Sequence, residues 1–374
     1  MRSCWRPFLG WQPSRQPVWF WLKNSTPRRP IQPVPLRAVG AVSQVAGLRA
    51  AVVAVVAVVA AAAVVVVAAV AVVAADAADA AAVNLKLLLN SMKPNRVGLG
   101  WRPELAPEIL GNLDQIDVVE VIADDYFSAP KADIRALRTL AAQVPVVLHG
   151  VSLGLASIAP VETRRLDQMA RLVNELEPEF WSEHLAFVRA GGVEIGHLAA
   201  PPRTEANIEG TLANLEQARR IVGTAPLVEN IATLIDPPGS QMTEVEWLNG
   251  ILSQTPNGML LDLHNLYANA VNFDFDPVEA LHQLPLERVH SIHLAGGRWI
   301  SANKTSGRRL LDDHLHDVPN VVYDLLSKVA QRTRHALTVT LERDGAFPPF
   351  PVLLDQLQQA RKALRLGRNA KTQI

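Results

Sequence analysis

The segment GMLLDLHN, residues 258–265, is a short apolar run that ends in polar side chains. Runs of the same kind recur along the chain as RVGLGW (96–101), VVEVIAD (118–124), PVVLHG (145–150), FWSEHLAF (180–187), PLVEN (226–230), VHSIHLAGG (289–297) and LTVTLERD (337–344). Short runs rich in branched apolar residues are typical of strands that are buried on both faces of a parallel sheet. These eight runs therefore predict eight strands.

Stretches with helical periodicity separate the predicted strands. Apolar residues recur there at spacings of three and four, as in residues 131–143, 161–176, 205–222 and 321–334. Alternating strands and helices imply right-handed βαβ units and a parallel sheet. We therefore predict an α/β fold, a (β/α)8 TIM barrel over residues 94–366. An open doubly wound sheet is the alternative, but GLGWRPEL lacks the glycine spacing of its phosphate-binding turn.

The ends of the chain differ from the predicted barrel. Residues 1–93 form a predicted extension in which residues 1–49 show no helical or strand period and residues 50–75 consist only of alanine and valine. That run is long enough to cross a bilayer, since about 20 apolar residues suffice, but two-letter tracts are typical of low-complexity filler. We expect an irregular extension that is either disordered or translated ahead of a true start near Met92, and a membrane anchor only if the run is a real span. Residues 367–374 are expected to form a flexible tail.

Composition excludes several classes of protein. The chain has 36 basic and 36 acidic residues, so its formal net charge is zero and no nucleic-acid partner is expected. The single cysteine, Cys4, lies outside the predicted barrel. A disulfide framework, a zinc ribbon and a cysteine-ligated iron–sulfur cluster are therefore excluded from the barrel, and a reducing, cytoplasmic location fits.

Potential metal ligands stand at the ends of the predicted strands. In a barrel of parallel strands these ends share one mouth, so the side chains should converge. A single strand-end histidine is more often a satisfied polar group than a ligand, and a single carboxylate more often caps a helix N-terminus or pairs with an arginine such as Arg102 or Arg343. The whole set nevertheless favours metal. Imidazole and carboxylate groups without sulfur suit iron, manganese or zinc. The candidate ligands are His149, His184, Glu229, Asp262, Asn265, His293, Asp312, His314 and Glu342.

The number of candidates predicts more than one metal ion. A structural zinc ion uses four ligands and a catalytic one uses three plus water, so the surplus predicts two or three ions bridged by Glu229 or Glu342. Asp312 and His314 lie two residues apart and would share a face if the segment is extended, whereas Asp313 would point away. Arg102 could contact a substrate carboxylate or phosphate, although an ion pair with Glu104 or Asp124 is an equally good expectation.

The ordered motifs resemble those of the DUF692 (UPF0276) family, the multinuclear non-haem iron-dependent oxidases. The resemblance runs from GLGWRPEL through VEVIADDYF, VLHGVSLGL, SEHLAF, LVENIA, LLDLHNLY, IHLAGG, LDDHLHD and LERD, and so covers the predicted barrel but not residues 1–93. It implies a xylose-isomerase-like TIM barrel and all nine ligand positions named above. Departures occur where the family often has E-V-H-A-E-N-Y, D-V-N-N and IHLAGH; this chain has EVIADDY, DLHN and a final Gly297.

The resemblance also implies a function. It implies two or three iron ions, O2 as co-substrate, and oxidation of a residue, often cysteine, in a ribosomally made precursor peptide whose leader a small partner protein presents. Two other functions stay open from the residues alone. One is a dinuclear or trinuclear zinc or manganese hydrolase or isomerase on the same barrel, and the other is a non-catalytic metal- or peptide-binding protein.

Overall fold

A computed structural model describes residues 94–190, 193–301 and 307–371. The predicted extension 1–93, its Ala/Val run and residues 372–374 lie outside the described residues. No helix of the described part is long and apolar enough to span a membrane.

The eight predicted runs form one closed parallel barrel, which confirms the predicted fold. Around the barrel each strand pairs with its neighbour, and the last pairs with the first. The barrel strands are β1 (Arg96–Gly100), β2 (Val119–Ile122), β3 (Val146–Gly150), β4 (Trp181–His184), β7 (Leu227–Glu229), β8 (Met259–Asp262), β9 (Val289–Leu294) and β12 (Thr338–Leu341).

Helices connect the barrel strands where the amphipathic stretches predict them. Their apolar faces pack on the outside of the barrel in one continuous core with the outward residues of the strands. The helices are α1 (Ala106–Gly111), α2 (Lys131–Ala141), α3 (Thr163–Leu176), α4 (Glu205–Val222), α5 (Glu244–Leu252), α6 (Leu263–Phe273), α7 (Pro277–Gln283), α8 (Asn320–Arg332) and α9 (Phe350–Lys371). Helix α9 includes residues 367–371 of the predicted tail.

Two antiparallel hairpins extend from the barrel and are not predicted by the run pattern. Strands β5 (Phe187–Ala190) and β6 (Val193–Ala199) follow the end of β4. Strands β10 (Gly297–Ser301) and β11 (Arg308–Asp312) follow the end of β9. Both hairpins therefore leave the barrel at the carboxyl ends of its strands, which is the face where barrel enzymes place their active sites.

Strand periodicity brings polar side chains into the barrel. Successive strand residues point to opposite faces, so apolar neighbours such as Leu148, Leu261 and Ile292 pack outward against the helices. The register places His184 beside Glu229 and Asp262 beside His293 on neighbouring strands. The result is a buried polar layer at the mouth end of the barrel.

Candidate metal centre

Glu229, the last residue of β7, stands at the middle of the polar layer and is 1% exposed. Its Oε2 lies 3.2 Å from His149 Nε2 and 3.2 Å from His184 Nε2. Its Oε1 lies 3.1 Å from His293 Nδ1. The two oxygens of one carboxylate therefore face two different sets of ligand atoms.

The neighbouring structure fixes the orientation of both imidazoles at Glu229 Oε2. His149 Nδ1 lies 2.8 Å from Ser182 Oγ, and His184 Nδ1 lies 3.1 Å from the carbonyl oxygen of Gly150. A hydrogen bond at Nδ1 leaves Nε2 of each ring facing the carboxylate, as in metal-binding histidines whose other nitrogen is held by an outer partner. Glu183, on the opposite face of β4, instead accepts backbone N–H groups of Leu153 and His184.

A second set of ligand atoms surrounds the other oxygen of Glu229. One ligand atom from each of Glu229, Asp262, His293 and Glu342 lies within 4.8 Å of every other, and all four residues are buried. His293 Nδ1 is 3.0 Å from Glu342 Oε2. Glu229 and His149 also form a set with His184 by the same criterion, so Glu229 belongs to both.

The N-cap and first turn of α6 carry two buried side-chain oxygen atoms that the helix cap does not use. Asp262 is the N-cap of the helix, and its Oδ1 accepts the backbone N–H of Asn265 at 2.6 Å. This bond leaves Asp262 Oδ2 for another partner. Asn265 donates its amide N–H to the carbonyl oxygen of Asn230 at 3.0 Å, so its carbonyl oxygen Oδ1 is also left over. Asp262 thus caps the helix through Oδ1, as expected for a single carboxylate, and its Oδ2 remains a candidate metal ligand.

Asp312 and His314 form a third group of candidate ligands, next to Glu342. Asp312 Oδ2 lies 2.8 Å from His314 Nε2, and His314 Nδ1 lies 3.9 Å from Glu342 Oε2. His314 has a positive φ of 54°, which turns the chain after the strand and brings both side chains to one side. Asp313 points elsewhere and pairs with Arg298. The structure thus places Asp312, and not Asp313, in the polar layer.

Burial and neighbouring charges shift the pKa values of the residues in the polar layer. Burial raises the pKa of Asp262 well above its ordinary value, and repulsion from Asp312 and Glu229 adds to the rise. Burial would also raise the pKa of Glu229, but the nearby imidazoles outweigh it and lower this pKa. Burial lowers the pKa of His184, yet attraction to Glu229 prevails and raises it to about 9. Asp262 is therefore a buried carboxylate that a nearby positive charge would stabilise.

Several buried polar atoms of these residues have no hydrogen-bond partner among the described residues. Buried polar atoms are normally paired, and each exception calls for a water, an ion or a catalytic role to explain it. Cations surrounded by nitrogen and oxygen atoms would satisfy them. The residues present therefore fit a metal centre. Some of these atoms lie close to one another, but none of them makes a hydrogen bond: His149 Nε2, Glu229 Oε2, Asp262 Oδ2, Asn265 Oδ1 and His314 Nε2, and beside them Glu120 Oε1 and His264 Nε2.

Arg102 has a different partner from those expected. Its guanidinium nitrogens Nε and Nη2 donate to Asp344 Oδ1 instead of pairing with Glu104 or Asp124. The other oxygen of Asp344 lies 3.0 Å from His314 Nδ1. The prediction that Arg102 forms an ion pair is thus confirmed, but the predicted partners Glu104 and Asp124 are wrong. Arg102 is connected through Asp344 to His314. A contact between Arg102 and a substrate stays a prediction.

Sequence reasoning missed five residues that hold the candidate ligands in place. A polar residue inside an apolar run is a usable signal for some of them, because a buried charge needs a buried partner. Glu120 in VVEVI and Ser182 in FWSEH carry that signal. The five residues are Glu120, Ser182, Asn230, His264 and Asp344, which contact His293, His149, Asp262, Asp312 and His314 respectively.

Comparison with known proteins identifies a family and several relatives that this chain resembles. The profile of the family described as RiPP precursor modification enzyme MbnB/TglH/ChrH matches residues 96–365. A UPF0276 protein of Streptomyces avermitilis is 37% identical over 279 residues, 71% of this chain and 54% of that protein. A UPF0276 protein of Acaryochloris marina is 32% identical over 263 residues, 70% of this chain and 92% of that protein. The chain thus spans about half the length of the first relative and nearly all of the second.

Solved structures with a similar course of the chain have low sequence identity. A D-tagatose 3-epimerase-like protein is 14% identical with a TM-score of 0.48, covering 74% of this chain and 98% of that chain. A xylose isomerase domain protein from Planctomyces limnophilus is 17% identical with a TM-score of 0.45, covering 75% of this chain and 100% of that chain.

Proposed function

The chain belongs to the family of RiPP precursor modification enzymes MbnB/TglH/ChrH, and on that premise we propose that it is a multinuclear non-haem iron oxidase. In this proposal it uses O2 to oxidise a cysteine of a ribosomally synthesised precursor peptide in the cytoplasm. A small partner protein would present the leader of that peptide.

One observation carries the proposal of a multinuclear centre. Glu229 Oε2 faces His149 and His184, whereas Glu229 Oε1 faces His293. A carboxylate whose oxygens face separate ligand sets is suited to bridge two metal ions. Glu229 would therefore hold one ion with His149 and His184 and share a second with the other set.

The remaining ligands would complete the centre. Asp262 Oδ2 and Asn265 Oδ1 supply oxygen atoms that are not used in the helix cap, and Glu342 lies beside His293. Asp312 and His314 would hold a third ion. Iron held there would supply one-electron chemistry with O2 and a Lewis acid for a substrate thiolate.

The exposure of the ligands indicates how a substrate would approach. The side chains of Glu229 and His293 are 1% and 0% exposed, whereas those of His184, Asp312 and His314 are 12%, 16% and 17% exposed. A peptide side chain entering the mouth would meet the last three first. The deeper ligands are shielded by the barrel, so water is largely excluded from the inner part of the centre.

Anaerobic purification followed by metal counting tests the proposal. We expect two or three iron ions per chain, and O2 consumption when a cysteine-bearing peptide encoded by a neighbouring gene is added. A protein that takes up only zinc or manganese, even when iron is supplied, would instead support the hydrolase or isomerase alternative. Bound iron without O2 consumption in the presence of that peptide would favour a binding protein.

A further inference from the structure

His264 lies in the first turn of α6, directly between two residues of the candidate centre in sequence. Its imidazole is buried, and its Nδ1 lies 2.7 Å from Asp312 Oδ1. The other carboxylate oxygen of Asp312 lies 2.8 Å from His314 Nε2. The two oxygens of Asp312 are therefore divided between two imidazoles, of which only His314 is a predicted ligand.

Gly297 provides the space that the His264 imidazole occupies. Gly297 pairs with Asp312 across the β10–β11 hairpin. A Cβ atom at residue 297 would come within 2.2 Å of the Leu311 carbonyl oxygen and within 2.7 Å of His264 Cε1. Contacts this short do not occur, so a side chain at residue 297 would displace either the hairpin or the imidazole.

The two positions are also places where the sequence departs from the motifs that it resembles. DLHN has His264 where the motif has asparagine, and IHLAGG has Gly297 where the motif has histidine. In the fold these departures are in contact with each other. Together they place an imidazole against the Asp312 carboxylate from the side of α6.

We propose that His264 is a positioning residue for the metal centre of this chain. The Nδ1–H group of His264 donates to Asp312 Oδ1 and directs Asp312 Oδ2 toward the ion that His314 would also bind. The inference rests on the proposed metal centre and adds to it a residue outside the nine predicted ligands. Outer partners of this kind typically change metal affinity about 10- to 100-fold.

Anaerobic Fe(II) titration of the full chain, with dissociation constants measured for each binding step, tests the proposal. The H264L variant removes the donor, and we expect the weakest iron-binding step to lose about 10- to 100-fold in affinity. The H264N variant places an amide N–H the same number of bonds from the backbone as Nδ1–H, so it should restore most of that affinity. The D312N variant should weaken the same step, and H264L/D312N should be no weaker than D312N alone.

The outcomes separate this inference from the proposed function. If H264L binds iron as wild type does, or if H264L and D312N have additive effects, His264 does not act through Asp312 and the inference is overturned while the metal centre stands. If wild type binds no metal ion, both are overturned. H290L is the matched control, because His290 packs against His335 and not against the candidate ligands. If H264L lacks a cooperative thermal transition, H264A takes its place in the same comparison.

Discussion

Replacing Glu120 with glutamine tests whether a residue missed by the sequence patterns holds a predicted ligand. Glu120 lies in the middle of β2, and its Oε2 is 2.8 Å from His293 Nε2; both residues are 0% exposed. Nδ1 of the same ring faces Glu229 and Glu342. We expect Glu120 to accept the Nε2–H proton and so to fix Nδ1 toward the metal ion.

The expected magnitude follows from the burial and charge of this contact. A hydrogen bond to a charged group contributes about 1.5–3 kcal/mol, and about 1.4 kcal/mol corresponds to a tenfold change in an equilibrium constant. The E120Q variant keeps the volume of the side chain and removes the charge. We therefore expect the Fe(II) affinity of the His293 site to fall about 10- to 100-fold, which agrees with the usual effect of outer partners.

The assay is a competition titration of Fe(II) against a chromophoric chelator under anaerobic conditions at pH 7. The matched control is E244Q, the same substitution at a carboxylate that accepts a hydrogen bond from Asn269 outside the candidate centre. The reasoning is refuted if E120Q binds iron as tightly as wild type, or if E244Q weakens binding to the same extent.

Three further predictions concern stability. The N230A variant should lower the unfolding free energy by about 2–5 kcal/mol in urea denaturation, because two buried hydrogen bonds to the backbone of Asp262 are lost; a change under about 0.5 kcal/mol would contradict this. Burial raises the pKa of Glu244 to about 7, above its value in the unfolded chain, so the folded state binds the proton more tightly. The contribution of Glu244 to stability should then fall by on the order of 1–3 kcal/mol as the pH rises from about 4.5 to 7, and denaturation of wild type and E244Q at several pH values should show that E244Q lacks this pH-dependent part. The R102M variant should cost less than about 1 kcal/mol, because its partner Asp344 is 44% exposed; a loss above about 2 kcal/mol would show that the pair acts as a buried one.

The sequence predicts the barrel well because its strands are buried on both faces. Such strands need continuous apolar runs, and the polar residue at the end of a run marks the point where the strand reaches the mouth. Asp262 illustrates this, since residues 259–261 are apolar and the aspartate ends the strand and caps the next helix. The approximate end of each strand therefore follows from local pattern, and the common mouth follows from the alternation of strands and helices.

The residues that position the ligands are less predictable because their roles depend on contacts distant in sequence. Glu120 lies 173 residues from His293, and His264 lies 48 residues from Asp312. The hairpins that carry some of these contacts have mixed polarity. Strand β6 is mostly exposed, so it lacks the continuous apolar run that predicts a buried strand. Partner choice for Arg102 also depends on the closing of the barrel, which brings Asp344 to the first strand.

Iron counting of wild type and E229Q side by side tests the central claim most directly, because Glu229 is the residue whose two oxygens face separate ligand sets. Both proteins are purified anaerobically and loaded with Fe(II), and E244Q serves as the control. We expect two or three iron ions for wild type and E244Q, because the candidate ligands are too many for one ion, and at least two ions fewer for folded E229Q. Wild-type iron content in E229Q, or the loss of a single ion, would contradict a bridging carboxylate.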